Sequence, residues 1–169
     1  WRLEKEYGNG HLVDWGIHHI DIIRKILGEG MPENIYASGG ILALKDQITT
    51  PDTLNVKFGF KEAPVIWQHR LWGNGDATRE FNNGIFFYGD KGTLFAEDSK
   101  VVVFPAGRDA KREDIPVQTP LMQENHVENF LKAVRNKDRT LISCTPEDAF
   151  KSTATVQLAM ISYNTGSIV

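Results

Sequence analysis

From Thr53 to Lys61 apolar and polar residues alternate without a break: Leu54, Val56, Phe58 and Phe60 take one side, and Asn55, Lys57, Gly59 and Lys61 the other. Successive side chains of a strand point to opposite faces, so this run predicts a β-strand with one face in a core and one outside it. Such a strand needs partners. Pro64 predicts a short turn, after which Val65, Trp67, His69 and Leu71 share one face and Ile66, Gln68, Arg70 and Trp72 the other, neither of them cleanly apolar.

More strands surround this pair. Gly84 to Tyr88 and Thr93 to Glu97 flank Gly89-Asp90-Lys91-Gly92, where glycines supply the backbone freedom of a tight hairpin. Val101 to Phe104 reads as the next strand, and Ile35 to Leu44 as an earlier one, with a bulge or a close approach at Gly39-Gly40. Gly73 to Asn83 and Ala106 to Pro120 read as surface connections, neither long enough for a domain linker.

Helices bracket the strands. Val13, Ile17, Ile20, Ile23 and Leu27 recur at helical spacing from Asp14 to Leu27, and Gly28 supplies a stop. Val127, Phe130, Leu131 and Val134 mark a second helix. A third opens with Thr145 as cap, Pro146 in the first position and Asp148 three residues on from the cap. Its expected buried stripe is Ala149, Val156, Ala159, Met160 and Tyr163, with Gly166 at its end. This segregated order predicts an α+β fold in one domain.

Charge and composition narrow the functions. Acids and bases are interspersed, with a formal net charge of -3, so no basic stripe could track a phosphate backbone and no nucleic-acid partner is expected. No apolar run reaches membrane-spanning length. Cys144, the single cysteine, closes no internal disulfide and reads as a small buried hydrophobe; it fits a reducing, cytoplasmic setting, with a periplasmic one left open because the chain starts at Trp1.

The chemistry concentrates between His11 and Asp21, where three His and two Asp fall within eleven positions. On a regular helix Asp14, His18 and Asp21 stand at i, i+4 and i+7 and project from one face. A carboxylate beside an imidazole raises the imidazole pKa or orients its tautomer, as proton transfer near neutral pH requires. Gly16 would let a substrate or another backbone come close. A structural reading stands level with this one: Asp14 as an acid favoured by the helix dipole, His18 exposed and His19 in the core. A metal site from His11, Asp14, His18 and Asp21 ranks below both, since neither a His-x-x-x-His pair nor a cysteine pair is present.

Asp14-x-Gly16-x-His18-x-x-Asp21 resembles the helix that opens the substrate domain of the Gfo/Idh/MocA oxidoreductases, the glucose-fructose oxidoreductase and inositol dehydrogenase family. Thr53 to Phe58, Gly84 to Leu94, His126 to Leu131 and Pro146 to Gly166 resemble its later segments in the same order, so nearly the whole chain is covered. The resemblance implies a mostly antiparallel open sheet with helices on one face, like the C-terminal domain of glyceraldehyde-3-phosphate dehydrogenase. It implies NAD- or NADP-dependent chemistry on the CH–OH group of a sugar, polyol or cyclitol, and homo-oligomers built through the sheet face. By position His18 would bond the reacting oxygen and move its proton, Asp14 would bind substrate or steer His18, and Asp21 would support them.

None of the fifteen glycines forms G-x-G-x-x-G, and the family's Glu-Lys-Pro segment is also absent. The expectation is therefore a substrate domain without its Rossmann partner, cut after its first strand, holding neither cofactor nor metal and inactive by itself. The rival is a non-catalytic carbohydrate-binding or oligomerisation module. His69 and Arg70 are further substrate-binding candidates, beside Trp67 and Trp72, whose expected role is structural. His126 reads as a capping or packing residue.

Overall fold

A computed structural model describes residues 1–73 and 79–169. In chain order a π-helical turn (Leu12–Gly16) leads into α1 (Ile17–Leu27), followed by β1 (Asn34–Gly40), β2 (Thr53–Gly59) and β3 (Pro64–Arg70). Then come β4 (Ile85–Gly89), β5 (Gly92–Ala96), β6 (Lys100–Pro105), β7 (Glu113–Pro116), α2 (Met122–Asn136) and α3 (Pro146–Thr165). The class is α+β, as expected, with the strands shared between two antiparallel sheets, β1-β2-β3 and β4-β5-β6-β7. The chain forms two compact units: Trp1–Asn74 with Cys144–Val169, and Gly75–Ser143.

The first unit is built on the alternation of β2. Register sets Val56 between Ala37 of β1 and Trp67 of β3, and Phe58 between Ile35 and Val65. Leu54, Val56 and Phe58 are buried along with Ile35, Ala37 and Trp67, while Asn55 and Lys57 are exposed. Each fully buried aliphatic or aromatic side chain contributes roughly 1.5–3 kcal/mol. α1 and α3 cover this one face, joined by Leu12, Ile20, Val156, Ala159 and Met160. β3, ambiguous in sequence, sends Trp67 inward and half-buries Val65 and His69, because β2 already fixes which face is the core.

Helix packing differs from the expected stripe. Ser152, Thr155 and Ser162 are buried on α3, whereas Ala149 is exposed. These small residues let α3 approach closely; the hydroxyls of Ser152 and Ser162 satisfy groups outside the helix, while Thr155 Oγ1 donates to the Lys151 carbonyl within it. Ser162 Oγ accepts from the Ala37 amide at 3.0 Å and donates to the Ser167 carbonyl at 2.6 Å. Thr145 caps α3 by accepting from the Asp148 amide, and Gly166 ends it at φ 67°. Cys144, expected to be buried, is exposed: it lies just before the cap, outside the helix that does the packing.

In the second unit Gly89 pairs with Gly92 around Asp90-Lys91, the expected hairpin. Phe81, in a 3-10 turn at Arg79–Phe81, lays its ring against Phe86, Phe95 and Phe104, over the buried Phe95 and Val102. Residues 74–78 of the expected Gly73–Asn83 connection lie outside the described residues. β7 was legible only as connection, because its four residues are all exposed and it joins β6 through backbone pairing. α2 forms as expected, yet Val127, Phe130, Leu131 and Val134 are exposed and only Ala133 is buried. His126 is exposed on α2, and its side chain caps nothing.

Candidate active site

The chemistry-bearing residues lie where the chain enters α1. Asn9 and Gly10 both have positive φ, so the segment turns sharply before the helix, and the Asn9 amide is tied to Gln157 of α3 at 2.7 Å. The first turn is then π-helical. An i→i+5 turn takes in an extra residue, so side chains four apart across it no longer stack as they do on a regular helix.

No described hydrogen bond or ion pair joins Asp14 to His18 across this turn. The Asp14 carboxylate meets the Arg2 guanidinium at 3.2 Å. His18 is exposed one turn on, its ring edge-to-face with Trp15 at a centroid distance of 6.0 Å. No described hydrogen bond engages either His18 ring nitrogen. His19 turns the other way, half-buried, 5.9 Å from the Trp67 ring.

Asp21 is drawn toward α3. Its carboxylate accepts from Ser152 Oγ at 2.7 Å and pairs with Lys25 at 3.0 Å and with the buried Arg24 at 3.9 Å. Burial works against ionisation, yet the Ser152 bond and the two cations outweigh it and hold Asp21 below the ordinary carboxylate value. Arg24 also donates to the Gly30 carbonyl at 2.6 Å and to Ser152. The expected common face of Asp14, His18 and Asp21 thus resolves into one exposed imidazole, one carboxylate on Arg2 and one carboxylate that anchors α3.

His69 and Arg70 diverge as neighbours on a strand must. His69 faces inward, with Nδ1 accepting from Trp67 Nε1 at 2.9 Å and Nε2 3.2 Å from the Pro51 carbonyl. Burial, aided by nearby His11, pushes His69 down to about 4 against the Pro51 carbonyl and Asp52. Arg70 lies on the outer face, its guanidinium over Trp72 and its Nε donating to the Trp72 carbonyl at 3.0 Å. Gly16 serves packing: a Cβ there would stand 2.7 Å from Leu12 and 3.1 Å from Trp67.

Two groups escaped the sequence reading. His11, weighed only as a metal donor, packs edge-to-face on His69 at 5.1 Å; burial lowers its pKa and Asp14 opposes that. Asp52 is fully buried and accepts from the amides of Leu42, Ala43 and Leu44 and from Thr53 Oγ1, which drives its pKa far down despite the burial. A carboxylate in a Pro-Asp-Thr turn carries no sequence mark of burial. Among the described residues no group of three or more His, Cys, Asp or Glu could hold a metal. No described helix is long and apolar enough to cross a membrane. A cleft of about 570 Å³ opens along Glu4, Ile41 and residues 45–49, none of which lies in the segment from His11 to Asp21.

Solved structures share this fold. An aldose-aldose oxidoreductase from Caulobacter crescentus, complexed with glycerol, superposes with a TM-score of 0.75 at 16% identity, covering 100% of this chain and 50% of that one. A protein assigned as an NADPH-dependent oxidoreductase from Desulfitobacterium hafniense gives 0.73 at 18%, over 100% and 50%. One assigned as an oxidoreductase from Thermotoga maritima gives 0.72 at 22%, over 99% and 49%. The chain therefore spans about half the length of these structures, and at such identities the likeness is one of fold. Among curated proteins none matches the sequence. The model of the oxidoreductase family's C-terminal alpha/beta domain matches residues 1–169, and the chain belongs to that family, Gfo/Idh/MocA.

Proposed function

We propose that this chain forms the substrate wall of an NAD(P)-dependent oxidoreductase acting on a CH–OH group of a sugar, polyol or cyclitol. The observation that carries the reading is His18: an exposed imidazole with no described hydrogen-bond partner, held by Trp15 on a helix whose other side is packed. A neutral imidazole both accepts and donates, so it can take the proton of a hydroxyl that is being oxidised and return it in the reverse direction. Asp14, already drawn to Arg2, binds neighbouring hydroxyls as an acceptor. Asp21 supports the wall through α3, and His69 acts from beneath it.

On this reading the dinucleotide is held outside this chain. G-x-G-x-x-G is absent, the described strands pair only antiparallel, and the first turn of α3 carries Glu147 and Asp148, which repel a diphosphate. The coenzyme belongs to a Rossmann domain outside these residues, and the 169 residues alone are expected to bind without turnover. Phe87, Leu94, Val101 and Val103, half-buried on one face of the second sheet beside exposed Ile115, support association of copies through that face. A reducing, cytoplasmic setting fits the lone, exposed Cys144.

The test is the intact gene product assayed with NAD+ and NADP+ against myo-inositol, D-glucose, D-sorbitol and glycerol. His18→Ala is expected to lower kcat about 10²- to 10⁴-fold, the range of general acid–base catalysis. Unchanged turnover would remove His18 from the reaction.

A further inference from the structure

Both ring nitrogens of His69 are used inside the fold. Nδ1 accepts the indole N–H of Trp67 and so carries no proton, which makes Nε2 the N–H donor to the Pro51 carbonyl. The imidazole can offer a ligand neither a donor nor an acceptor. It is instead fixed at two points, one on its own strand and one on the turn before β2.

What that fixed ring supports is His11. The two rings meet edge-to-face at 5.1 Å and 72°, and the Trp67 ring lies 6.2 Å from His11 on the same platform. His11 is only half-buried, and no described hydrogen bond engages its nitrogens. Those nitrogens are not sealed in, because no buried side-chain nitrogen of the described residues lacks a partner. The ring is thus packed against aromatic neighbours yet open where it could bond, and close enough to Asp14 to feel its charge.

We infer that His11 is a third ligand-binding residue, and the second imidazole, beside Asp14 and His18, and that Trp67, His69 and Pro51 form a hydrogen-bonded chain that positions it. Its ligand is a hydroxyl of the polyol, which a neutral imidazole can both accept from and donate to. Burial keeps His11 in that neutral form near pH 7. His69 is a positioning residue acting through His11. The inference rests on the polyol reading of the site.

Diethyl pyrocarbonate, which acylates unprotonated imidazole nitrogens open to solvent, separates the two ideas. In the intact gene product with NAD+ or NADP+, mass spectrometry is expected to find His11 and His18 acylated and His69 spared, with at least one of the four polyols protecting both reactive rings. Acylation of His69 as fast as His11 overturns the positioning chain. Protection of His18 alone overturns the role of His11 and leaves the polyol reading standing, whereas protection of neither overturns both. His11→Phe keeps the ring and removes its nitrogens; it is expected to raise the KM of the protecting polyol about tenfold, the loss of one hydrogen bond, with a smaller change in kcat. His11→Gln should restore most of that affinity. Trp67→Phe, which removes only the indole N–H from the chain, should expose His69 to acylation and raise KM in the same direction; an unchanged KM in both His11→Phe and Trp67→Phe overturns the inference.

Discussion

The indole N–H of Trp67 donates to Nδ1 of His69 at 2.9 Å, a bond between side chains two residues apart on the inner face of β3. It fixes the tautomer of His69 and accounts for much of what the sequence left open about this strand. Two residues that looked equally polar, His69 and Arg70, have opposite fates because the pleat sends one to the inner face and the other to the outer face.

Stability should fall with acid in the window set by His69. Its folded pKa, about 4, lies below the ordinary histidine value of roughly 6.5, so the unfolded chain binds more protons between these two values. The contribution is full above about pH 6.5 and is lost as pH falls toward 4, on the order of 3 kcal/mol in all. Urea midpoints measured across that range should drop for the natural chain and flatten for His69→Gln.

Gly16→Ala should destabilise, although helix propensity alone favours alanine by about 1 kcal/mol. The added methyl meets Leu12 and the Trp67 ring, and the overpacking should cost roughly 1–3 kcal/mol by thermal or denaturant unfolding. A stabilised variant would show that Trp67 has room to move.

Asp52→Asn should loosen the loop between β1 and β2. The amide cannot accept from the amides of Leu42, Ala43 and Leu44 as the carboxylate does, and bonds to a charged group contribute about 1.5–3 kcal/mol each. Hydrogen exchange at those three amides should quicken by at least an order of magnitude.

Ser152→Ala removes the hydroxyl shared by Asp21 and Arg24 and leaves the buried Arg24 guanidinium short of a partner, at a cost of about 1–3 kcal/mol. The Asp21 carboxyl should then titrate at a higher pH by NMR, since the Ser152 bond is the strongest influence holding it down. Asp21 contributes stability above its unfolded pKa and loses it as pH falls through the folded one, so the variant should also show a shallower loss of stability in acid.

The sequence by itself determined most of the elements, because their signals are local. The alternation of Leu54, Val56 and Phe58, the Thr145-Pro146 start of α3, the stops at Gly28 and Gly166 and the Gly89-Gly92 hairpin depend on neighbours within a few residues. It also marked the entry to α1 as a cluster of three His and two Asp, the candidate site. Tertiary structure decided how those side chains are buried and partnered. At the π turn, between Asn9 bonded to Gln157 and Gly16 packed on Trp67, Asp14 pairs with Arg2 and His18 stays exposed. Ser152 draws Asp21 toward α3, and Trp67 withdraws His69 while leaving His11 open. Burial and hydrogen bonding between residues as distant as Asp21 and Ser152 arise only once the chain has closed on itself, and periodicity carries no trace of them.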